Sequence, residues 1–305
     1  MDAFTTPQRI VVGVDGSTAA AHAAAWAARL AARRGAGLHL LHALNLTGAM
    51  SVLSRLPYEE YRQNQTKQAE ALLDELRADL LREHPGLWIS TEISAAEPTE
   101  TLVAATRQAA LTVVGTRGHG GFPGLSLGSV GLRLAAHCRG PIVLVPAGDG
   151  SEDAAAPAEP AAPSAEIVLG VAAREPAEVT GFAFDLAEEL GTSVRAVHAW
   201  QLIPPYNGYY YIEPSVLATA AKDLLNDALA AACRDHATVE CTASTVCATP
   251  AAALVDAARG ARLLVLGAHR RHLPLSVGVG SVLHALLTHA PCPVAVVPLS
   301  RRDQS

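Results

Sequence analysis

Short apolar runs alternate with longer stretches of helical periodicity along the first half of the chain. The runs are rich in valine, isoleucine and leucine, as expected for strands that are buried on both faces. They predict strands at Ile10–Val14, Leu38–Leu44, Trp88–Ser94, Leu111–Val114 and Ile142–Val145. The stretches between them predict helices at Thr18–Arg33, Glu59–Glu83, Thr99–Ala110 and Ser129–His137. This alternation predicts an α/β domain with a parallel sheet covered by helices on both faces.

The second half of the chain repeats the first. A shift of 152 residues places Gly115 on Gly267 and Gly128 on Gly280, and a shift of 157 aligns the first apolar runs, IVVGV and IVLGV. Solenoid repeats are only about 20–50 residues long, so this period indicates two whole domains in tandem. The segment between them is rich in alanine, proline and acids and cannot bury enough apolar surface to order itself. The predicted organisation is a first domain at 1–147, a semi-extended linker at 148–165 and a second domain at 166–305.

A glycine-rich segment, Gly115–Ser129, joins the fourth predicted strand to the last predicted helix of the first half. Glycine permits a positive φ and a close backbone approach to an anion, and the N–H groups at a helix start point toward such an anion. The spacing is glycine, two residues, glycine, nine residues, then glycine and serine. It lacks the lysine of a Walker loop and the GxGxxG pattern of dinucleotide sites. The segment therefore predicts a nucleotide or phosphate site.

Asp15 follows the first strand and should reach the same sheet edge as the glycine-rich segment, where α/β sheets bind ligands. Its carboxylate suits ribose hydroxyls or a metal on the phosphates, and Ser129 offers a hydroxyl and a backbone N–H to phosphate. The alternative is that Asp15, Gly16 and Ser17 form only a turn and a helix cap.

The motifs IVVGVDGS, LHLLHAL, VVGTRGHGGFPGLSLGS and PIVLVP together resemble the universal stress protein family in its tandem two-domain form. The resemblance covers nearly the whole chain outside the linker, and the glycine spacing is similar to the family's ATP-binding signature. It implies two doubly wound, five-stranded parallel domains of the adenine nucleotide alpha-hydrolase-like type, with strand order 3-2-1-4-5. It also implies ATP binding and a role in stress survival, growth arrest or dormancy.

The resemblance further assigns nucleotide contacts to positions of this chain, with the backbone of Ala43 meeting adenine. The implied contacts are Gly13, Asp15, Ala43, Val114, Gly115, Gly118, Gly128, Ser129 and Val130.

The second copy departs from the pattern at two positions. Asp15 is replaced by Ala172, which removes the ribose acceptor, and Gly118 by Arg270, whose side chain restricts the backbone and occupies space near phosphate. The motif residues that remain are Gly170, Gly267, Gly280 and Ser281. We therefore expect a stronger ATP site in the first domain and a weak, altered or empty one in the second. The basic segment 269–272 could instead grip phosphate through its side chains, or form a solvated loop.

The glycine-rich segment favours binding over catalysis. Phosphoryl transfer relies on cationic clamps and a positioned nucleophile, whereas this segment offers backbone donors and one serine. Arg117 and His119 are secondary candidates for phosphate contact, and both could instead point to water. The expected function is an ATP-binding stress-response regulator, with Mg²⁺ on the nucleotide within reach of Asp15. A slow ATPase and a nucleotide-free interaction protein are the alternatives.

Composition narrows the partners and the setting. The net charge of −6 gives nucleic acid no reason to bind. No run of about 18 apolar residues and no secretion signal is visible, so a cytoplasmic protein without a membrane segment is expected. The five cysteines form no CxxC pair and predict buried, reduced thiols.

The last apolar run of each half suggests how the domains assemble. The runs Ile142–Val145 and Val294–Val297 are predicted last strands, and an unpaired strand edge tends to find a partner. The family resemblance implies that the two domains pair through these strands, and a homodimer of the whole chain is also plausible.

Overall fold

The computed structural model describes residues 9–44, 46, 58–118, 127–147, 165–202, 213–268 and 279–299. Contacts within the chain divide it into two compact units, one from each half of the sequence. Each unit is described by itself below. The predicted linker lies outside the described residues except for its last residue, Ala165.

The first unit is a five-stranded parallel sheet with four helices in its described part. In chain order its elements are β1 (Ile10–Gly13), α1 (Thr18–Arg34), β2 (Leu38–Ala43), α2 (Tyr58–Glu83), β3 (Ile89–Ser94), α3 (Pro98–Ala105), β4 (Leu111–Gly115), α4 (Ser129–His137) and β5 (Ile142–Val145). The strands follow the order β3-β2-β1-β4-β5, and every pair within this set is parallel. The predicted fold class and strand order are confirmed.

The second unit repeats this architecture over its described residues. Its elements are β6 (Ile167–Gly170), α5 (Ala177–Leu190), β7 (Val194–Trp200), α6 (Pro214–Asp235), β8 (Cys241–Cys247), α7 (Pro250–Ala257), β9 (Leu263–Ala268), α8 (Ser281–His289) and β10 (Val294–Pro298). The strand order is β8-β7-β6-β9-β10, again parallel throughout. The duplication seen in the sequence is therefore a duplication of the fold.

The central strands are buried on both faces, which explains their largely apolar sequences. Ile10, Val12, Leu111 and Val113 have no solvent exposure. Because both faces are covered by helices, these strands show continuous apolar residues where a half-exposed strand would alternate. The sheet is thus a rigid base from which the connections at its carboxyl ends project.

Helix α1 can lie close to the sheet because its buried face is almost entirely alanine. Its start is fixed by Ser17, whose side-chain oxygen accepts a hydrogen bond from the backbone N–H of Ala20. Its end is fixed by Gly35, which adopts the left-handed conformation with φ of 61°. Small side chains and two caps therefore place the beginning of α1 tightly against the strand ends.

Helix α3 is shorter than predicted: it ends at Ala105, whereas the prediction continued it to Ala110. Buried Thr106 donates from Oγ1 to the carbonyl of Val103 (2.7 Å) and accepts from the backbone N–H of Arg139 (3.0 Å). The chain must also turn here, because Ala110 N–H donates to the carbonyl of Arg9 (3.0 Å) at the start of β1. Alanine-rich helical periodicity gave no sign of these non-local bonds.

The cysteine prediction is correct only in part. All five cysteines are free thiols, but only Cys138 and Cys292 are buried, whereas Cys233 and Cys247 are exposed. The exposed cysteines lie in α6 and β8. Their spacing along the sequence did not indicate that their side chains would be exposed. Separately, none of the helices that the structure describes is long and apolar enough to cross a membrane.

Candidate functional site

The candidate site of the first unit lies where β1 and β4 end side by side. The chain winds from β1 toward β2 on one side and reaches β4 on the other, so the winding direction reverses between these two strands. The connections after the strands diverge at such a point and leave a crevice between them. Gly13 ends β1 and Gly115 ends β4, so the predicted motifs meet at this edge.

Backbone hydrogen bonds tie the two ends of the glycine-rich segment to each other. The N–H of Gly128 donates to the carbonyl of Thr116 (2.7 Å), and the N–H of Thr116 donates to the carbonyl of Val145 (2.8 Å). Ser17 Oγ also donates to the carbonyl of Arg117 (3.4 Å), which links the segment to the connection after β1. Residues 119–126, including the secondary candidate His119, lie outside the described part of the chain.

Asp15 serves the turn after β1 and also faces the glycine-rich segment. Its Oδ1 accepts from the backbone N–H of Ser17 (3.0 Å) and from Ser17 Oγ (2.6 Å). Its Oδ2 lies against Gly118, where an added Cβ would collide with it. The turn-and-cap interpretation of this segment is therefore correct for one carboxylate oxygen, while the other oxygen is presented to the crevice.

The glycines of the site differ in whether a neighbouring atom leaves room for a larger residue. A Cβ at Gly115 would stand 2.7 Å from the backbone carbon of Ala19 in α1, and one at Gly13 would stand 2.9 Å from Leu102. Both positions thus serve close packing. At Gly128 the nearest atom would be 3.4 Å away, an ordinary contact, so packing does not require glycine there.

The positive φ that glycine permits is not used by the described glycines of the glycine-rich segment. Gly115, Gly118 and Gly128 do not have positive φ, whereas Gly16, in the turn after β1, has φ of 84°. The turn at Asp15 needs a residue in the left-handed conformation, and Gly16 provides it. The chain leaves β4 without such a residue.

The beginning of α4 is suited to an anion. Gly128 is the N-cap and provides no side-chain hydrogen bond, and the first turn contains no acidic residue. The N–H of Leu132 donates to the carbonyl of Gly128 (3.1 Å), so the N–H groups of Ser129, Val130 and Gly131 precede the first N–H that has a carbonyl partner within the helix. These groups, at the positive end of the helix dipole, favour a negatively charged ligand.

These features surround a crevice of about 590 Å³, within the range of about 300–1,000 Å³ usual for small-molecule sites. Arg117 and all nine of the predicted nucleotide contacts line it: Gly13, Asp15, Ala43, Val114, Gly115, Gly118, Gly128, Ser129 and Val130. The structure therefore brings together residues that are more than 100 positions apart in the sequence.

Helix α2 supplies a wall of the crevice that sequence reasoning missed. Gln65, Gln68, Ala69 and Leu72 all line it. Their spacing of three, four and seven residues puts them on one helix face, a signal that was present in the sequence. It could not be read as functional, since the same spacing is typical of any buried helix face. The other lining residues that were not predicted are Val14, Ala20, Leu41, His42, Pro98, Leu102, Thr116 and Gly131.

His42 helps to fix the connection after β1. One ring nitrogen, Nδ1, bonds to the carbonyl oxygen of Val14 (2.8 Å), so this nitrogen carries the proton. His198 makes the same bond to Val171 in the second unit (2.8 Å). The repeated contact supports a structural role for both histidines.

No group of three or more histidine, cysteine, aspartate or glutamate side chains is placed to hold a metal ion in the described parts of either unit. Among the described residues that line the crevice, Asp15 is the one with a carboxylate, a group that a divalent ion such as Mg²⁺ accepts as a ligand.

The second unit preserves some of this arrangement. A Cβ at Gly170 would stand 2.6 Å from Leu266 and 3.0 Å from Leu254, which repeats the packing role of Gly13. Gly280 is the N-cap of α8, and Ser281 is its first residue. Ala172 follows β6 without a carboxylate, and Arg270 lies outside the described residues.

Glu175 gives the second unit a different local chemistry. Its Oε2 accepts from the backbone N–H of Ala172 (2.7 Å), and a Cβ at Gly267 would stand 2.8 Å from its Oε1. Oε1 is buried and has no hydrogen-bond partner in the described structure. Burial raises the pKa of this carboxyl to about 7, and the hydrogen bond from Ala172 offsets part of that rise.

Comparison with known proteins decides the family. The sequence pattern of the universal stress protein family matches residues 6–146 and again residues 165–298. The chain belongs to the universal stress protein family. Both matches fall within the two structural units, so the chain is a tandem member of the family.

Relatives of the same length support this assignment. A universal stress protein of Mycobacterium tuberculosis is 33% identical over 291 residues, covering 94% of this chain and 95% of that protein. One from Mycolicibacterium smegmatis is 31% identical over 307 residues, covering 96% and 97%. A solved universal stress protein from Archaeoglobus fulgidus has a TM-score of 0.66 at 15% identity and covers 96% of this chain and 99% of that one. This last likeness shows the shared fold.

Gly115 and Gly118 of the first unit should respond differently to substitution by alanine. Gly115→Ala forces a methyl group against the backbone of Ala19 and should lower the free energy of unfolding by about 1–3 kcal/mol. Gly118→Ala meets the end of the exposed Asp15 side chain, which can move, and should cost less than about 0.5 kcal/mol. Urea unfolding of both variants measures this difference. Equal losses would contradict the packing role of Gly115.

The pKa of Glu175 predicts a pH-dependent stability in the second unit. A carboxyl whose folded-state pKa is raised stabilises the fold fully below its unfolded pKa, and this contribution is lost as the pH rises through about 7. The free energy of unfolding of the wild type should fall relative to that of Glu175→Gln between pH 5 and 8, by at most about 3 kcal/mol. Urea unfolding of both proteins at the two pH values measures it. A difference that does not change with pH would contradict the raised pKa.

Proposed function

We propose that this universal stress protein is an ATP-binding regulator of the stress response, with the stronger nucleotide site in its first unit. The observation that carries the proposal is the single crevice at the ends of β1 and β4, which joins an apolar wall to a cluster of backbone donors. An adenine nucleotide has the matching division between a flat base and a charged phosphate chain.

The apolar wall suits the base. Leu41 and Ala43 from β2, Ala69 and Leu72 from α2, and Leu102 from α3 line this part of the crevice. An aromatic base gains free energy when it leaves water for such surroundings, and backbone groups beside Ala43 can recognise its edge.

The opposite end suits phosphate. Arg117 and the first residues of α4, Ser129, Val130 and Gly131, are among the residues that line the crevice, and they carry a guanidinium, a hydroxyl and the first N–H groups of the helix. Hydrogen bonds from these groups to phosphate oxygens are charge-assisted and so are stronger than neutral ones. Asp15 also lines the crevice, and its carboxylate can accept from ribose hydroxyls or reach a Mg²⁺ ion held by the phosphates.

Binding rather than turnover is proposed because of the charges that line the crevice. Among its described lining residues, Asp15 and Arg117 are the ionic side chains, and Asp15 is engaged by Ser17. Rapid phosphoryl transfer needs several cationic groups around the γ-phosphate and a positioned nucleophile. A bound nucleotide held mainly by backbone donors is better suited to report or to stabilise a state of the protein.

The proposal predicts that ATP binding depends on the first unit's motif. Asp15→Ala removes the ribose acceptor, and Gly118→Arg fills the space beside it, so each should weaken ATP binding at least about tenfold. Isothermal titration calorimetry with ATP measures the loss. Asp79→Ala is the matched control, because it removes an exposed carboxylate that pairs with Arg82 near the far end of α2. Wild-type affinity in both crevice variants would contradict the proposed site.

We also propose that the units pair through β5 and β10, and that the chain can form a homodimer. Each strand is apolar and ends the sheet order of its own unit, and such an edge favours a partner.

Hydrogen exchange tests the pairing. If β5 is paired on both sides, all amides of Ile142–Val145 should exchange slowly. In β3, which ends the sheet order on the other side, alternate amides of Ile89–Ser94 should exchange quickly and serve as the internal control. Fast exchange at alternate amides of β5 would contradict the pairing. Sedimentation of the whole chain measures dimerisation.

A further inference from the structure

We infer that the carboxylate of Glu175 excludes phosphorylated nucleotides from the carboxyl ends of β6 and β9 in the second unit, an inference that rests on the proposed nucleotide binding by the first. Glu175 is thus a specificity-determining residue: the two units share a fold, and this side chain makes the second one reject the ligand of the first.

The position of the carboxylate is fixed from two sides. Glu175 lies in the connection between β6 and α5, and its Oε2 accepts from the N–H of Ala172, which follows β6. Its Oε1 approaches Gly267, which lies near the end of β9. The side chain therefore spans the carboxyl ends of the two strands that correspond to β1 and β4.

The equivalent place in the first unit is occupied by backbone. There the open side of Gly115 faces the backbone of Ala19 in the first turn of α1. In the second unit the open side of Gly267 faces Glu175 Oε1 and the Val179 side chain (3.0 Å). The connection after β6 is longer than the one after β1 by two residues, since α5 begins seven positions beyond β6 and α1 begins five beyond β1.

The two acids at these edges act in different surroundings. Asp15 is exposed to solvent, and water screens its charge from a nearby phosphate. Glu175 Oε1 is buried without a hydrogen-bond partner in the described structure, so its charge is screened far less. The carboxylate also accepts from the N–H of Ala172, so this donor is already engaged.

Titration of the full-length chain with ATP at pH 8, where the carboxyl is ionised, tests the inference. The wild type should show one binding event, and Glu175→Ala should gain a second, with the first unchanged. Glu178→Ala is the matched control, because it removes an exposed carboxylate from the first turn of α5, three residues further along the chain, and should leave the number of events unchanged. Glu175→Gln, which removes the charge and retains the volume, should also gain a second but weaker event.

The outcomes separate this inference from the proposed function. If the wild type binds one ATP and neither folded Glu175 variant gains an event, the inference is overturned and the proposed function stands. Two events in the wild type would overturn it as well. If the wild type binds no ATP but Glu175→Ala binds one, the inference is supported and the proposed first-unit site is not. No binding by any of these proteins would overturn both.

Discussion

The close approach of the first helix in each unit to the ends of the central strands is the constraint on which the geometry of both sheet edges depends. In the first unit this approach places the backbone of Ala19 where a side chain of residue 115 would otherwise stand. The strands beneath are buried on both faces and packed to a density that permits little adjustment. Differences between the units therefore arise in the short connections that follow β1 and β6. Those few residues decide which ligand the edge of the sheet can accept.

Most of the fold could be predicted from the sequence because burial on both faces leaves a strong local pattern. The run around Val12 has no polar residue and the run around Val113 has one, Thr112, so neither alternates as a half-exposed strand would, and the repeat of 152 residues implied a second copy of the same sheet. The end of α3 could not be predicted. It is set by bonds of Thr106 and Ala110 to residues that are distant in sequence, and local periodicity does not record such bonds.

The candidate site could be predicted at the positions where the motif and the sheet topology coincide, but the reasons for its glycines could not. Gly115 was read as a residue that lets phosphate approach, whereas its open side faces a helix. The α2 wall at Gln65 and Leu72 was missed because a crevice wall and a core face share one helical spacing. Glu175 was missed because its importance depends on burial beside Gly267, which lies 92 positions further along the chain. The comparison of the two copies considered only positions of the first copy's motif. It could not identify Glu175, which is outside that motif.

Glu175 shows that the second unit differs by more than the loss of a motif. Replacement of Asp15 by Ala172 would by itself weaken a nucleotide site and leave its edge neutral. A buried carboxylate whose pKa is raised to about 7 instead reduces the stability of the fold above neutral pH, although Val179 beside it shows that the surroundings could accept an apolar side chain. Residues that lower stability in this way are concentrated at functional edges, where ligand choice outweighs packing. The tandem arrangement therefore combines one fold with two local chemistries: a crevice beside the donor-rich start of α4 in the first unit, and a carboxylate at the ends of β6 and β9 in the second.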